Sequence, residues 1–252
     1  MVFIKQVPDT DDVKWTPNNN IDRVNTESIM NIVDKEALYA AITLKNKLKG
    51  NVTAVSMGPN KAVDILKEAI ALGADDAALL SDSKFVGSDT LATSKVLTAA
   101  IKEKYPQTDL LLFGQSASDG ETAQTGPYVA TRLDMPCVNF VTEILDVADG
   151  YATVISETEQ EKITYKVKLP AVLCINNYVV KPELPRIDGY INAHNHNYKI
   201  FNIYELKLSE NETGIKGSPT YVSNVYKHHE GRDCKIIGVD ELINELKRCA
   251  NE

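Results

Sequence analysis

Short apolar runs alternate with helical stripes as far as Pro136, then give way to extended segments. Val2 to Val7 reads as a strand. An Asp-, Asn-, Pro- and Thr-rich stretch follows and reads as a long loop to about Asn31. From Asp34 to Leu48 the spacing predicts a helix, with Leu38, Ala41, Ile42, Lys45 and Leu48 on one face. Asn51 to Met57 is a strand, Gly58-Pro59-Asn60 a turn, and Lys61 to Leu72 a helix with Val63, Leu66 and Ile70 inward, closed by Gly73. Asp76 to Leu80 is a short strand. Ser88 caps a helix to about Lys104, Asp109 to Phe113 is the next strand, and a helix runs from about Glu121 to Leu133.

This alternation predicts an α/β fold: a parallel, Rossmann-like sheet covered on both faces. Beyond Pro136, Val138 to Val147, Tyr151 to Glu157, Lys162 to Leu169 and Ala171 to Ile175 read as extended, with little helix between them. Antiparallel hairpins that cover or extend the sheet fit this pattern. Asn176 to about Ile200 reads as a loop, and Val239 to Cys249 as an amphipathic helix. The expected organisation is an α/β domain with its hairpin extension over residues 1–190 and a C-terminal arm over 191–252.

Composition narrows the function. A net charge of −8 argues against nucleic-acid binding, which needs a basic face. The cysteines Cys137, Cys174, Cys234 and Cys249 form no C-x-x-C pair, so reduced thiols are expected rather than zinc or a redox dithiol. His194, His196, His228 and His229 have no carboxylate or cysteine at ligand spacing and read as solvated loop residues. No apolar run approaches the ~18 residues of a membrane span, and Met1 to Lys5 lacks the pattern of a signal peptide. A cytoplasmic protein without membrane insertion is expected. No nucleophile elbow, H-E-x-x-H or P-loop is present, which fits a chain whose cofactor carries the chemistry.

Candidate chemistry gathers in two polar loops. Gly114 to Pro127 directly follows the apolar strand Asp109 to Phe113, so amides and hydroxyls collect at a strand's carboxyl end, an arrangement suited to a phosphate or a ribose. Gly87 to Ser94 is a similar loop one strand earlier. Together they indicate an adenine-nucleotide site. Asp119 either orients a phosphate-binding loop or caps the helix after it. Thr90 and Thr93 either bind a cofactor or satisfy local backbone, and Asp89 caps or orients. Trp15 either packs on a partner or covers the sheet edge.

Several segments match a known family in order and spacing: Lys5-Gln6-Val7-Pro8-Asp9, Ala54 to Pro59, Ala69 to Asp75, Gly87 to Ser94, Gly114 to Pro127, Leu169-Pro170-Ala171-Val172 and Gly217-Ser218-Pro219-Thr220. Over nearly its whole length the chain resembles the β subunit of electron-transfer flavoproteins. Its Lys5 to Thr10, Gly87 to Ser94 and Asp119 to Gln124 segments are more similar to bifurcating bacterial members than to the mitochondrial type. The resemblance implies an adenine-nucleotide α-hydrolase-like sheet and a larger α subunit as partner, contacted by the C-terminal arm. It also implies an acyl-CoA dehydrogenase-type enzyme as electron partner. FAD is the implied cofactor, with AMP as the alternative. In the bifurcating type NADH is the electron donor and a ferredoxin or flavodoxin a further acceptor.

Carried over by position, the adenosine contacts Phe3, Asn31, Asp34 and Met57 and the loop from Gly114, Gln115 and Ser116 onward. The phosphates fall near Asp119, Gly120, Glu121, Thr122, Ala123, Gln124 and Thr125. A flavin pyrophosphate reaches Thr90, Leu91, Ala92 and Thr93. Ile187 aligns with the leucine that anchors the dehydrogenase in the mitochondrial type. The chain departs from the family at Ile32, where a proline is usual, and at Ser156, Gln160 and Glu161, where an Arg and a Gly pair are usual. Asn192, His194, Asn195 and His196 replace a Lys-rich loop. A universal-stress-type nucleotide sensor shares the sheet architecture, but such proteins are shorter and lack the hairpins and tail.

Overall fold

The computed structural model describes residues 1–9, 27–178, 184–223 and 236–249. Trp15, His228, His229 and Cys234 lie outside the described residues. Met1–Tyr221 and Val222–Glu252 form separate compact units.

In chain order the strands of the first unit are β1 (Val2–Phe3), β2 (Gln6–Pro8), β3 (Ser28–Met30), β4 (Thr53–Met57), β5 (Asp76–Leu80), β6 (Leu110–Gly114), β7 (Cys137–Ala148), β8 (Tyr151–Glu157), β9 (Lys162–Lys168), β10 (Ala171–Ile175) and β11 (Lys199–Phe201). Its helices are α1 (Ile32–Leu48), α2 (Val63–Leu72), α3 (Thr90–Lys104), α4 (Thr125–Leu133), α5 (Ile187–Asn195) and α6 (Gly214–Gly217). The second unit holds α7 (Val239–Cys249).

The main sheet has the order β11-β5-β4-β1-β6-β10-β7-β8-β9. It is parallel from β11 to β7, and β8 and β9 extend it antiparallel. β1 lies inside it between β4 and β6, with Val2 opposite Ala54 on one side and Leu112 on the other. Successive side chains of a strand face opposite ways, so Val2 joins one core and Phe3 the other. Leu38 of α1 and Leu66 of α2 pack on the first face, and Val96 of α3 and Val129 of α4 on the second. Both faces are therefore covered, which is why β6 and β10 are apolar runs rather than alternating ones.

Several expectations need correction. Val2 to Val7 is two strands: the chain leaves the main sheet at Ile4, and β2 pairs with β3 in a separate antiparallel ribbon. β10 is not a hairpin partner. It inserts parallel between β6 and β7, where its five consecutive buried residues suit a strand covered on both faces. The Asn176–Ile200 region contains α5 and the edge strand β11, because α5 seats on α2: a Cβ at Gly189 would stand 2.2 Å from the Ala71 carbonyl. Leu48, expected inward, is 44% exposed. α4 begins at Thr125 rather than Glu121, because Glu121 and Ala123 take left-handed φ values of 47° and 54°, which no helix tolerates.

Candidate functional site

The chain runs from β1 to β4 and β5 on one side and returns to β6 on the other. The carboxyl ends of β1 and β6 thus flank a topological switch point, where open α/β sheets bind ligands. The first turn of α1 crosses that point. Asp34, nearly fully buried, accepts the Lys5 amide at 2.8 Å and the Gly114 amide at 3.1 Å. A Cβ at Gly114 would lie 2.2 Å from the Asp34 carboxylate, so only glycine lets β6 end this close to the helix. Burial raises the Asp34 pKa to about 7, against the pull of its backbone hydrogen bonds.

Asn31, also buried, precedes α1 and clamps the next loop. Its side-chain amide donates to the Ser116 carbonyl at 2.8 Å, and its oxygen accepts the Ser118 amide at 3.3 Å. One residue thereby pairs two backbone groups of the loop. Lys5 Nζ lies 2.5 Å from Asp119, whose side chain is 6% exposed. The Gly120 and Glu121 amides donate back to the Ala117 carbonyl. The loop then reaches Gln124, whose carbonyl oxygen accepts the Thr90 hydroxyl at 2.8 Å. That hydrogen bond joins the two polar loops.

Asp89, not Ser88, caps α3. Its carboxylate accepts the Ala92 amide at 2.9 Å and the Thr220 hydroxyl and amide at 2.8 and 3.2 Å. Burial works against ionisation there, but these bonds win and hold the carboxyl below its usual range. The Ser88 hydroxyl instead donates to the Phe85 carbonyl and accepts the Gly214 amide.

The structure brings Asn31, Asp34, Gly114, Ser116 and Asp119 together, and Thr90 with Gln124. The Phe3 ring stacks on Phe113, 4.4 Å between centroids, so only its backbone lies toward the strand end. Met57 ends β4, half-buried. Gln115 spends its side chain elsewhere: its carbonyl oxygen accepts the Phe140 amide at 2.8 Å. Ala92 is buried, and Leu91 and Thr93 are partly exposed in the first turn of α3. Thr122 is exposed and Thr125 starts α4. Ile187, at the start of α5, is 81% exposed and far along the chain from these loops. Lys5, Ser218 and Thr220 were not among the expected site residues, although each sits in a segment that carries the family resemblance.

The donor set fits an adenine nucleotide. Hydroxyls and amides line the two loops, while the carboxylates of Asp34, Asp89 and Asp119 are each engaged by the protein. Among the described residues no cluster of His, Cys, Asp or Glu is arranged to hold a metal, and His194 lies in the last turn of α5 rather than in a loop.

Residues 19–195 match the model of the electron transfer flavoprotein domain. The chain belongs to the electron transfer flavoprotein family. Within it the match is to beta subunits. The chain is 42% identical to the electron transfer flavoprotein subunit beta of Thermoanaerobacterium thermosaccharolyticum, over 88% of this chain and 85% of that one. It is 37% identical to the subunit beta of Megasphaera elsdenii over 90% and 86% of the two chains. It is 39% identical to the caffeyl-CoA reductase-Etf complex subunit CarD of Acetobacterium woodii over 88% and 85%. No helix among the described residues is long and apolar enough to cross a membrane.

Proposed function

We propose that this electron transfer flavoprotein beta subunit holds FAD across its two joined loops, oxidises NADH, and divides the electrons between two acceptors. The observation that carries this reading is the Thr90–Gln124 hydrogen bond. It merges loop 87–93 and loop 114–125 into one polar rim, which suits a dinucleotide; AMP would engage only the second loop. A bound flavin supplies hydride acceptance and stepwise electron release.

In this reading Asn31 and Asp34 shape the adenosine end and the Asp119–Thr125 turn faces the phosphates. Gln124, whose side-chain oxygen accepts the Thr90 hydroxyl, retains its N–H₂ as a donor toward an anion. Thr90 and Thr93 serve the flavin side. Few lysines or arginines occupy these loops, so amides and dipoles carry the anion. The α subunit completes the flavin environment, an acyl-CoA dehydrogenase-type enzyme takes one electron stream, and a ferredoxin or flavodoxin the other. The relative named for a caffeyl-CoA reductase complex supports a CoA-ester enzyme as partner.

The test is to purify the chain with its α subunit, release bound nucleotides by gentle denaturation, and identify them by chromatography and mass. Two FAD per heterodimer, with NADH bleaching both, is the expected result. One FAD and one AMP would make the protein a simple carrier.

A further inference from the structure

We propose that the cleft between α3, α4 and residues 208–212 is a second anion site, built for the phosphate group of a small molecule and separate from the two polar loops.

α3 presents Lys95, Thr98 and Lys102 at i, i+3 and i+7, so the three share one face. α4 brings Arg132 in its last turn, and the chain from Leu208 to Glu212 closes the other side. These residues line a cleft of about 300 Å³. That is the small end of ligand pockets, with room for a phosphomonoester rather than a dinucleotide. Thr98 stands about 12 Å along α3 from Thr90 by the helical rise. The cleft is therefore distinct from the cofactor loops, and the inference holds whichever nucleotide they bind.

Three cations meet one carboxylate here. Glu212 is already committed to the protein: its carboxylate accepts the Ser209 amide at 2.9 Å and the Ser209 hydroxyl at 2.7 Å. Those bonds, and after them the charges of Lys95 and Arg132, hold the Glu212 carboxyl below its usual range. The nearby Glu103 is paired with Lys207 at 2.5 Å. Two positive charges are thus left over in a chain whose net charge is −8, a surplus that suits a dianion. Arg132 donates through Nε to the Ser94 hydroxyl at 3.0 Å. That bond orients the guanidinium, and its terminal nitrogens have no hydrogen-bond partner among the described residues. A planar pair of donors of this kind matches an oxyanion. Lys102 reaches the Arg132 carbonyl only at 3.5 Å, the outer edge of hydrogen bonding.

Thr98 separates this cleft from an ordinary solvated basic face. The residue is 6% exposed, lines the cleft, and its hydroxyl oxygen has no hydrogen-bond partner among the described residues. A threonine inside a helix commonly donates to a carbonyl one turn back; Thr98 does not. A buried hydroxyl left unpaired is destabilising and calls for an explanation. An oxyanion seated between Thr98, Arg132 and the two lysines supplies the missing acceptor, and solvated lysines alone would not.

The test titrates inorganic phosphate, and separately glycerol phosphate, into the assembled heterodimer with its nucleotide in place. Binding is followed by calorimetry at constant ionic strength. Wild type shows saturable binding of one phosphate per β subunit. Thr98→Val keeps the side-chain shape and weakens binding about tenfold, as loss of a hydrogen bond to a charged group does. Thr98→Ser binds as wild type does. Lys95→Gln weakens binding in the same direction, and the nucleotide content of every variant matches wild type. Should Thr98→Val not yield a folded heterodimer, Thr98→Ala takes its place beside Lys95→Gln. Tighter binding of glycerol phosphate than of phosphate identifies an organic phosphomonoester as the ligand, and equal binding identifies free phosphate. The inference is overturned if phosphate binding does not saturate. It is also overturned if Thr98→Val and Lys95→Gln bind phosphate as well as wild type does, since the anion would then sit elsewhere. An acidic peptide that binds this face when phosphate does not would assign it to a protein partner, and the anion site would fall.

Discussion

At the scale of the residue, the crevice depends on a few side chains that sit between backbone groups. Gly114→Ala places a methyl against Asp34 and the start of α1, an overpacking expected to cost about 1–3 kcal/mol. Urea unfolding of the variant against wild type measures it, and an unchanged midpoint would refute the contact. Asp34 gives a pH signature. Its carboxyl titrates near 3.8 when unfolded and at about 7 when folded, so the folded state keeps the proton longer. Its contribution to stability is fully present below the unfolded value and is lost as pH rises through the folded one. Between those limits the slope reaches up to about 1.4 kcal/mol for each pH step of one. Asp34→Asn removes that slope. Unfolding both proteins between pH 4.5 and 7.5 should show wild type losing ground to the variant as pH rises. Asp34 and Asn31 were legible as candidates only through family resemblance. Nothing in their spacing shows that each reaches a partner beyond residue 113, because long-range pairing is set by the sheet order.

At the scale of the element, strands and helices with a clear period were readable, and those held by remote contacts were not. β5 and β8 follow from their sequence alone. β3 and β11 are three residues long and exist because a partner strand lies beside them. α5 lies in a stretch of Pro, Asn and His that reads as loop, and forms against α2 through Gly189. It presents Ile187, Tyr190 and Ile191, exposed by 81%, 61% and 55%. Ile187→Asp should leave the unfolding free energy within the range of about ±0.5 kcal/mol typical of a surface change. It should also slow electron transfer to an acyl-CoA dehydrogenase-type partner severalfold. Normal transfer rates in stopped-flow would remove Ile187 from the docking surface.

At the scale of the whole molecule, the second unit offers an apolar face. Val239, Leu242, Ile243 and Leu246 of α7 recur at helical spacing and are exposed by 44% to 75%. Leu242→Glu with Leu246→Glu should weaken assembly with the α subunit by an order of magnitude or more, as expected for buried apolar anchors. Analytical ultracentrifugation reads this, and an unaltered heterodimer constant would show that α7 lies outside the interface. The sequence by itself determined the class of fold, the alternation that makes the sheet parallel, and the two polar loops after β5 and β6. These are consequences of local periodicity and of residue types that stop strands and start helices. Only the tertiary structure decided that β10 inserts beside β6, that Asn31 and Asp34 lock the loop after β6, and that Thr220 reaches back to Asp89. Such contacts join residues 61 to 131 positions apart, and their geometry follows from the order in which the strands pair, which no local pattern encodes.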